Sequence, residues 1–243
     1  MPTEVALGLI LTASAFTMAF AGFGLALIAV PLLTLVIPIK LAVPVQFPFL
    51  WGIFMYNAWL YRSQVDWREL RPLVAGSLVG ITVGTFLLYH LPESVLIRAL
   101  AIFVVFNVLF NLTPMGKRTI SRYAKGPWWG RICGFISGAF LGAYTIGGPP
   151  IVVYMLALAN NPAKTKGSLG VFFTFELLLL AVVYVALGVF TWESVKISLT
   201  YSPLALLGCL AGFWAFGKAS NELYRRVVDI LLLATAVVLW FRV

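Results

Sequence analysis

Residues 3–38, TEVALGLILTASAFTMAFAGFGLALIAVPLLTLVIP, form an apolar run of 36 residues. As one helix it would extend about 54 Å at 1.5 Å per residue, against a bilayer hydrocarbon core of about 30 Å. The run is interrupted near its middle at Ala21-Gly22-Phe23-Gly24 and resumes as Leu25 to Val30 before Pro31. Residues 128–163, WWGRICGFISGAFLGAYTIGGPPIVVYMLALANNPA, repeat the pattern at the same length. There the interruption is Thr145-Ile146-Gly147-Gly148-Pro149-Pro150, and the run resumes at Ile151. Neither stretch is a simple span. Paired helix breaks at corresponding places in two halves of a chain point to a transporter's binding site.

Composition agrees with a membrane setting. Of 243 residues, 62% are hydrophobic and 10% charged, and the mean hydropathy is +1.01. That leaves too little polar surface for a water-soluble globule of this size. Long continuous apolar runs favour helices over the short alternating segments of a β-barrel. The start Met1-Pro2-Thr3-Glu4 lacks a basic leader, so the mature chain is expected to begin there. Cys133 and Cys209 are far apart in apolar segments and suggest neither a disulfide framework nor a metal cluster.

The remaining apolar runs, 41–61, 70–89, 94–112, 167–190, 195–216 and 223–241, are each long enough to cross once. Their loops carry the topology signal. If each broken stretch enters and returns on one side, with the N-terminus outside, the inside loops hold thirteen cations: Arg62, Arg68, Arg71, Lys117, Arg118, Arg122, Lys125, Arg131, Lys164, Lys166, Lys218, Arg225 and Arg226. Outside stand four, Lys40, Arg98, Lys196 and Arg242. A single crossing per broken stretch divides them ten to seven, hardly a bias. The positive-inside rule therefore selects re-entrant elements, and the net charge of +9 reads as orientation, not as a nucleic-acid surface.

The expected fold is an all-α integral membrane protein built as an inverted repeat of two halves. Each half has one broken, re-entrant helical element plus three transmembrane helices. Residues 1–113 form the first repeat, 114–127 a basic cytoplasmic linker and 128–243 the second repeat. Phe23-Gly24 lies over Ile146-Gly147 at an offset of 123 residues, Val65-Asp66-Trp67 over Phe190-Thr191-Trp192 at 125, and Gly80, Gly84 and Arg98 over Gly208, Gly212 and Arg226 at 128. Three groups in one order mark duplication.

A half-helix that ends inside the membrane leaves backbone groups without partners, and hydrocarbon supplies none. Helices resuming after Gly24 and after Gly148 present N–H donors and the positive end of the helix dipole, a setting for an anion. The expected substrate-binding residues are Gly22, Phe23, Gly24, Gln46, Thr145, Gly147, Gly148, Pro149, Pro150 and Ile151. Tyr56, Asn57 and Tyr154 offer further uncharged hydrogen-bonding groups. Glu176, amid Phe172, Phe173, Phe175 and Leu177 to Leu180, is costly as a bare carboxylate in the membrane. It is read as a proton-coupling group or as a structural hydrogen-bonding group. Lys164, Lys166 and Ser168 are read as a positive anchor with a helix cap, or as an anion-attracting vestibule. No metal, cofactor, nucleophile–base pair or phosphate loop is expected, which argues against an enzyme.

These motifs resemble the TauE/SafE family of sulfite-exporter-like membrane proteins. The resemblance rests on Gly22-Phe23-Gly24 followed by Pro31, its echo at Gly147-Gly148-Pro149-Pro150, the Val65-Asp66-Trp67 loop, and Gly84 to Arg98 echoed by Gly212 to Arg226. It implies a secondary transporter of the cytoplasmic membrane for a small anion, a sulfur oxyanion or organosulfonate such as sulfite, thiosulfate or sulfoacetate. Uncoupled channel and non-transporting assembly protein remain as rivals. The chain departs from the family where a glycine run would follow Phe23: Gly24 is followed by Leu25 and Ala26. Close backbone approach to the anion is therefore expected mainly at the second break. Direction of transport and oligomeric state are not legible in the sequence.

Overall fold

The computed structural model describes residues 3–21, 25–60, 62–112, 127–148, 150–151, 154–155 and 162–215, with scattered positions from 233 to 241. Described regular structure is helical: α1 (Thr3–Ala21), α2 (Leu25–Leu33), α3 (Ile39–Val45), α4 (Phe47–Leu60), a 3-10 turn (Arg62–Gln64), α5 (Trp67–His90), α6 (Glu93–Leu112), α7 (Pro127–Tyr144), α8 (Pro162–Ala186) and α9 (Trp192–Ala215). The chain is a multi-pass membrane protein. Five segments among the described residues are long and apolar enough to span a bilayer: Thr3–Phe20, Ile39–Leu60, Trp67–His90, Gly167–Ala186 and Trp192–Ala215. The basic linker and the expected last span, 223–241, fall wholly or mainly outside the described residues.

Helix starts follow from capping chemistry. Asp66 caps α5, its Oδ1 accepting the N–H groups of Arg68 at 3.0 Å and Glu69 at 3.4 Å. Thr191 caps α9 reciprocally: its Oγ1 accepts the Ser194 N–H at 3.1 Å, while Ser194 Oγ accepts the Thr191 N–H at 3.2 Å. Asp66 and Thr191 are the residues that the 125-residue offset aligns, and each opens a helix of 24 residues. At the start of α3, where Pro38 precedes the helix without a side-chain cap, the Ile39 N–H is met by Glu93 Oε1 at 2.7 Å.

The described chain forms two compact units, and each draws on both sequence halves. One comprises 1–49, 91–112 and 190–243; the other comprises 50–90 and 113–189. In the first, α1 packs against α9. A Cβ at Gly208 would stand 2.2 Å from the Thr12 carbonyl oxygen, and one at Gly212 would stand 2.4 Å from that of Phe16. In the second, α5 packs against α7. Cβ atoms at Gly80 and Gly84 would stand 2.2 and 1.9 Å from the carbonyl oxygens of Phe135 and Ala139. Both seams are backbone against backbone, the arrangement small residues allow where lipid gives helices no hydrophobic reason to associate.

The two seams share one register. Gly208 and Gly212 follow Gly80 and Gly84 by 128 residues, while Phe135 and Ala139 follow Thr12 and Phe16 by 123. These are the offsets read from the sequence. Helix α9 shows the solvent in which this packing works: Ser194, Ser198, Ala205, Gly208 and Gly212 are buried, while Leu206, Leu207 and Leu210 are more than 60% exposed. A helix with small and polar residues inward and leucines outward is matched to hydrocarbon, not to water.

Candidate functional site

The second break lies within one unit and can be built atom by atom. Helix α7 stops at Tyr144 because Thr145 adopts a left-handed backbone, φ 56°. This is uncommon for a β-branched residue and costs about 1–2 kcal/mol. The reversal lets the Thr145 N–H bond the Leu141 carbonyl at 2.7 Å and the Ile146 N–H bond that of Phe140 at 3.3 Å. Helical conformation resumes at Gly148, and Ile151, Tyr154 and Met155 are buried in a cluster with Leu70, Leu73, Cys133, Phe172 and Phe173.

Several further carbonyls around the break are taken by hydroxyls. Thr145 Oγ1 donates to the Tyr144 oxygen at 2.6 Å, Tyr184 Oη donates to that of Gly142 at 2.8 Å, and Ser137 Oγ donates to that of Gly147. Thr85 Oγ1 also reaches the Gly142 oxygen at 3.5 Å. Among the described residues no acceptor meets the N–H of Gly147 or of Gly148. Three carbonyls beside the break are thereby taken by hydroxyls, and the two glycine N–H groups stay available as donors.

Space is distributed just as unevenly. A Cβ on Gly147 would lie 3.0 Å from Ser137 Oγ, 3.1 Å from Leu141 Cβ and 3.2 Å from Phe173 Cε1, whereas one on Gly148 would meet nothing within 4 Å among the described residues. The break is close-packed on the Gly147 side and open at Gly148. Phe173 stacks on Phe54 with ring centroids 4.6 Å apart.

Glu176 follows Phe173 by three residues on α8 and is 1% exposed. Ser77 Oγ donates to its Oε1 at 2.7 Å and also lies 3.0 Å from the Val74 carbonyl. Its Oε2 has no partner among the described residues. One hydroxyl proton cannot serve both acceptors fully, so Ser77 suits either state of the carboxyl: donor to a carboxylate, or acceptor from a carboxylic acid while it bonds Val74.

Of the expected binding residues, Thr145, Gly147, Gly148, Pro150 and Ile151 belong to this break. Gly22, Phe23, Gly24 and Pro149 lie outside the described residues. Gln46 is fully buried at the end of α3, in the other unit. Lys164 and Lys166 lie on the first turns of α8, with side chains outside the described residues. Ser168 is buried, and its Oγ accepts the Asp66 N–H at 3.2 Å, tying α8 to the cap of α5. Sequence reasoning missed Ser77, Thr85, Ser137 and Tyr184. Each is a hydroxyl in an apolar helix, and its partner is visible only when another helix is placed beside it.

Five candidate spanning helices and two backbone-to-backbone glycine seams define a polytopic membrane protein, with the break after Tyr144 as its candidate site. The family model "Sulfite exporter TauE/SafE" matches residues 6–239, and the chain belongs to that family. Membership makes it a membrane anion transporter of the sulfite-exporter type. Neither a curated protein nor a solved structure matches the chain.

Proposed function

We propose that this transporter moves a small sulfur oxyanion or organosulfonate, such as sulfite, thiosulfate or sulfoacetate, across the cytoplasmic membrane by alternating access. One observation carries the anion reading: at the second break, hydroxyls and turn N–H groups occupy the carbonyls of Phe140, Leu141, Gly142, Tyr144 and Gly147, while the Gly147 and Gly148 N–H groups have no acceptor among the described residues. Backbone donors in low dielectric hold an oxyanion well, and the resuming helix adds its positive end. The first break, Gly22 to Gly24, takes the same role by its register with Ile146 and Gly147. Thr145, Pro149, Pro150 and Ile151 complete the set at the second break, and Gln46 is assigned with the first. Lys164 and Lys166 draw anions to the cytoplasmic mouth.

Coupling to protons is assigned to Glu176. Phe173, one turn before Glu176 on α8, packs against the Gly147 side of the break, and a carboxylate on that helix would repel an anion held at the break in a dry interior. Anion binding therefore favours the protonated acid, and the two events are linked.

Purified protein in liposomes, supplied with sulfite, thiosulfate, sulfoacetate and a carboxylate panel, tests the reading. Accumulation of a sulfur anion against its gradient, driven by an imposed pH difference, is the expected result. Flux that only equilibrates would make the protein an uncoupled facilitator. Absence of any anion flux would sink the transport proposal for these substrates.

A further inference from the structure

Ser137 is a fully buried hydroxyl on α7 whose Oγ donates to the carbonyl oxygen of Gly147 across the break. It neither borders the open space at Gly148 nor carries charge. Its influence runs through the peptide that follows Gly147. A peptide unit is planar and trans, so its C=O and N–H point in opposite directions. Anchoring the Gly147 oxygen on α7 turns the Gly148 N–H away from α7. That N–H has no acceptor among the described residues, and the Gly148 Cα borders the open side of the break.

We propose that Ser137 is a positioning residue for the oxyanion, holding the Gly147–Gly148 peptide so that the Gly148 N–H faces the bound anion. This rests on the anion reading of the break and adds to it the group that orients the donor. Without the hydroxyl the Gly147 carbonyl loses its buried partner, and rotation of that peptide, cheap between two glycines, would present an oxygen to the anion instead of an N–H.

The repeat supplies a second, independent observation. Ser137 follows Ser14 by 123 residues, the offset that also relates Phe135 to Thr12 and Ala139 to Phe16 in the two glycine seams. Ser14 is likewise fully buried. On its helix Thr12 and Thr17 bond carbonyls one turn back, at 2.7 and 2.8 Å, whereas Ser14 Oγ has no partner among the described residues. A hydroxyl withheld from its own helix at the same register in both broken elements fits a role at the break.

The test compares wild type with Ser137→Ala and Ser137→Cys, which retains a weak donor. Thermal unfolding is followed with sodium sulfite, thiosulfate or sulfoacetate against sodium chloride of equal ionic strength, and transport kinetics are measured for the anion that responds. For Ser137→Ala we expect a ligand-free Tm lowered by no more than a few degrees, loss of most of the ligand-induced rise, and a KM higher by about tenfold with a smaller change in maximal rate. Ser137→Cys should fall between. An unchanged ligand-induced rise and KM in Ser137→Ala would overturn the proposal, as would a fall in ligand-free Tm in both variants that accounts for the whole loss. A wild type that responds to none of the three anions would instead remove the anion reading, and this inference with it.

Discussion

At the scale of single residues, the second break separates a packed glycine from an open one. Gly147 is hemmed in by Ser137, Leu141 and Phe173, while Gly148 faces open space and has no positive φ. Gly148→Ala should therefore keep or slightly raise stability, since alanine is favoured over glycine in a helix by about 0.5–1 kcal/mol. The added methyl occupies the side of the backbone that the anion approaches. We expect transport to fall at least tenfold with Tm preserved; full activity would move the anion site away from Gly148. Glu176 makes a prediction of a different kind. Raising pH ionises the carboxyl and weakens binding of a neighbouring anion, so wild-type flux should decline with rising pH. Flux in Glu176→Gln should be flat across the same range. Thiosulfate is the better probe for this comparison, because its own charge does not change near neutrality. A Glu176→Gln variant with the wild-type pH profile would leave Glu176 a structural role only.

At the scale of elements, the glycine seams decide which helices meet and how closely. Gly84 would place a Cβ 1.9 Å from the Ala139 oxygen and Gly80 2.2 Å from that of Phe135, and in each case the obstacle is backbone. Gly84→Ala or Gly80→Ala must force α5 from α7, at a cost of about 1–3 kcal/mol or more. Gly52, where a Cβ would meet nothing within 4 Å among the described residues, is the control, and Gly52→Ala should keep or slightly raise stability. Thermal unfolding in detergent checks both, and equal Tm values would refute the seam. Much of this was legible in advance. Lengths of apolar runs gave the helices, and the 125-residue offset aligned Asp66 with Thr191, which the structure shows capping α5 and α9. Pairing was not legible, because Gly80 in the sequence says only that something comes close. That α5 meets α7 and α1 meets α9 depends on surfaces distant in the chain. The same limit hid Ser77 and Ser137: a serine in an apolar run looks like tolerated polarity until its acceptor appears on another helix or beyond a break. Gly147 and Gly148 were legible as a pair, but their unequal surroundings were not.

At the scale of the whole molecule, two units each combine elements from both sequence halves, and their seams, α1 with α9 and α5 with α7, keep the same offsets of 123 and 128 residues. A duplicated chain in which the broken element of one half packs on the later helix of the other gains two equivalent interfaces from one evolved contact. The matching register supports duplication. Orientation of the second half is a separate matter, and it turns on whether the broken stretches cross once or return. Both alternatives place Lys40 and Arg98 outside, with Arg62, Arg68 and Arg71 inside. They part company after the linker. Re-entrant elements put Lys164 and Lys218 inside and Lys196 outside; single crossings reverse all three. Lys196 lies near the start of α9 and is exposed, so Lys196→Cys is the informative position. In a background lacking Cys133 and Cys209, an impermeant maleimide applied to intact cells should label Lys196→Cys, and should label Lys218→Cys only after the membrane is opened. Thirteen cations against four favour that outcome, because each Lys or Arg held on the wrong side works against insertion. Labelling of Lys218→Cys in intact cells, with Lys196→Cys protected, would make the halves parallel. The inverted arrangement would then have to be given up, while the anion site proposed at Gly148, argued within one unit, would stand unchanged.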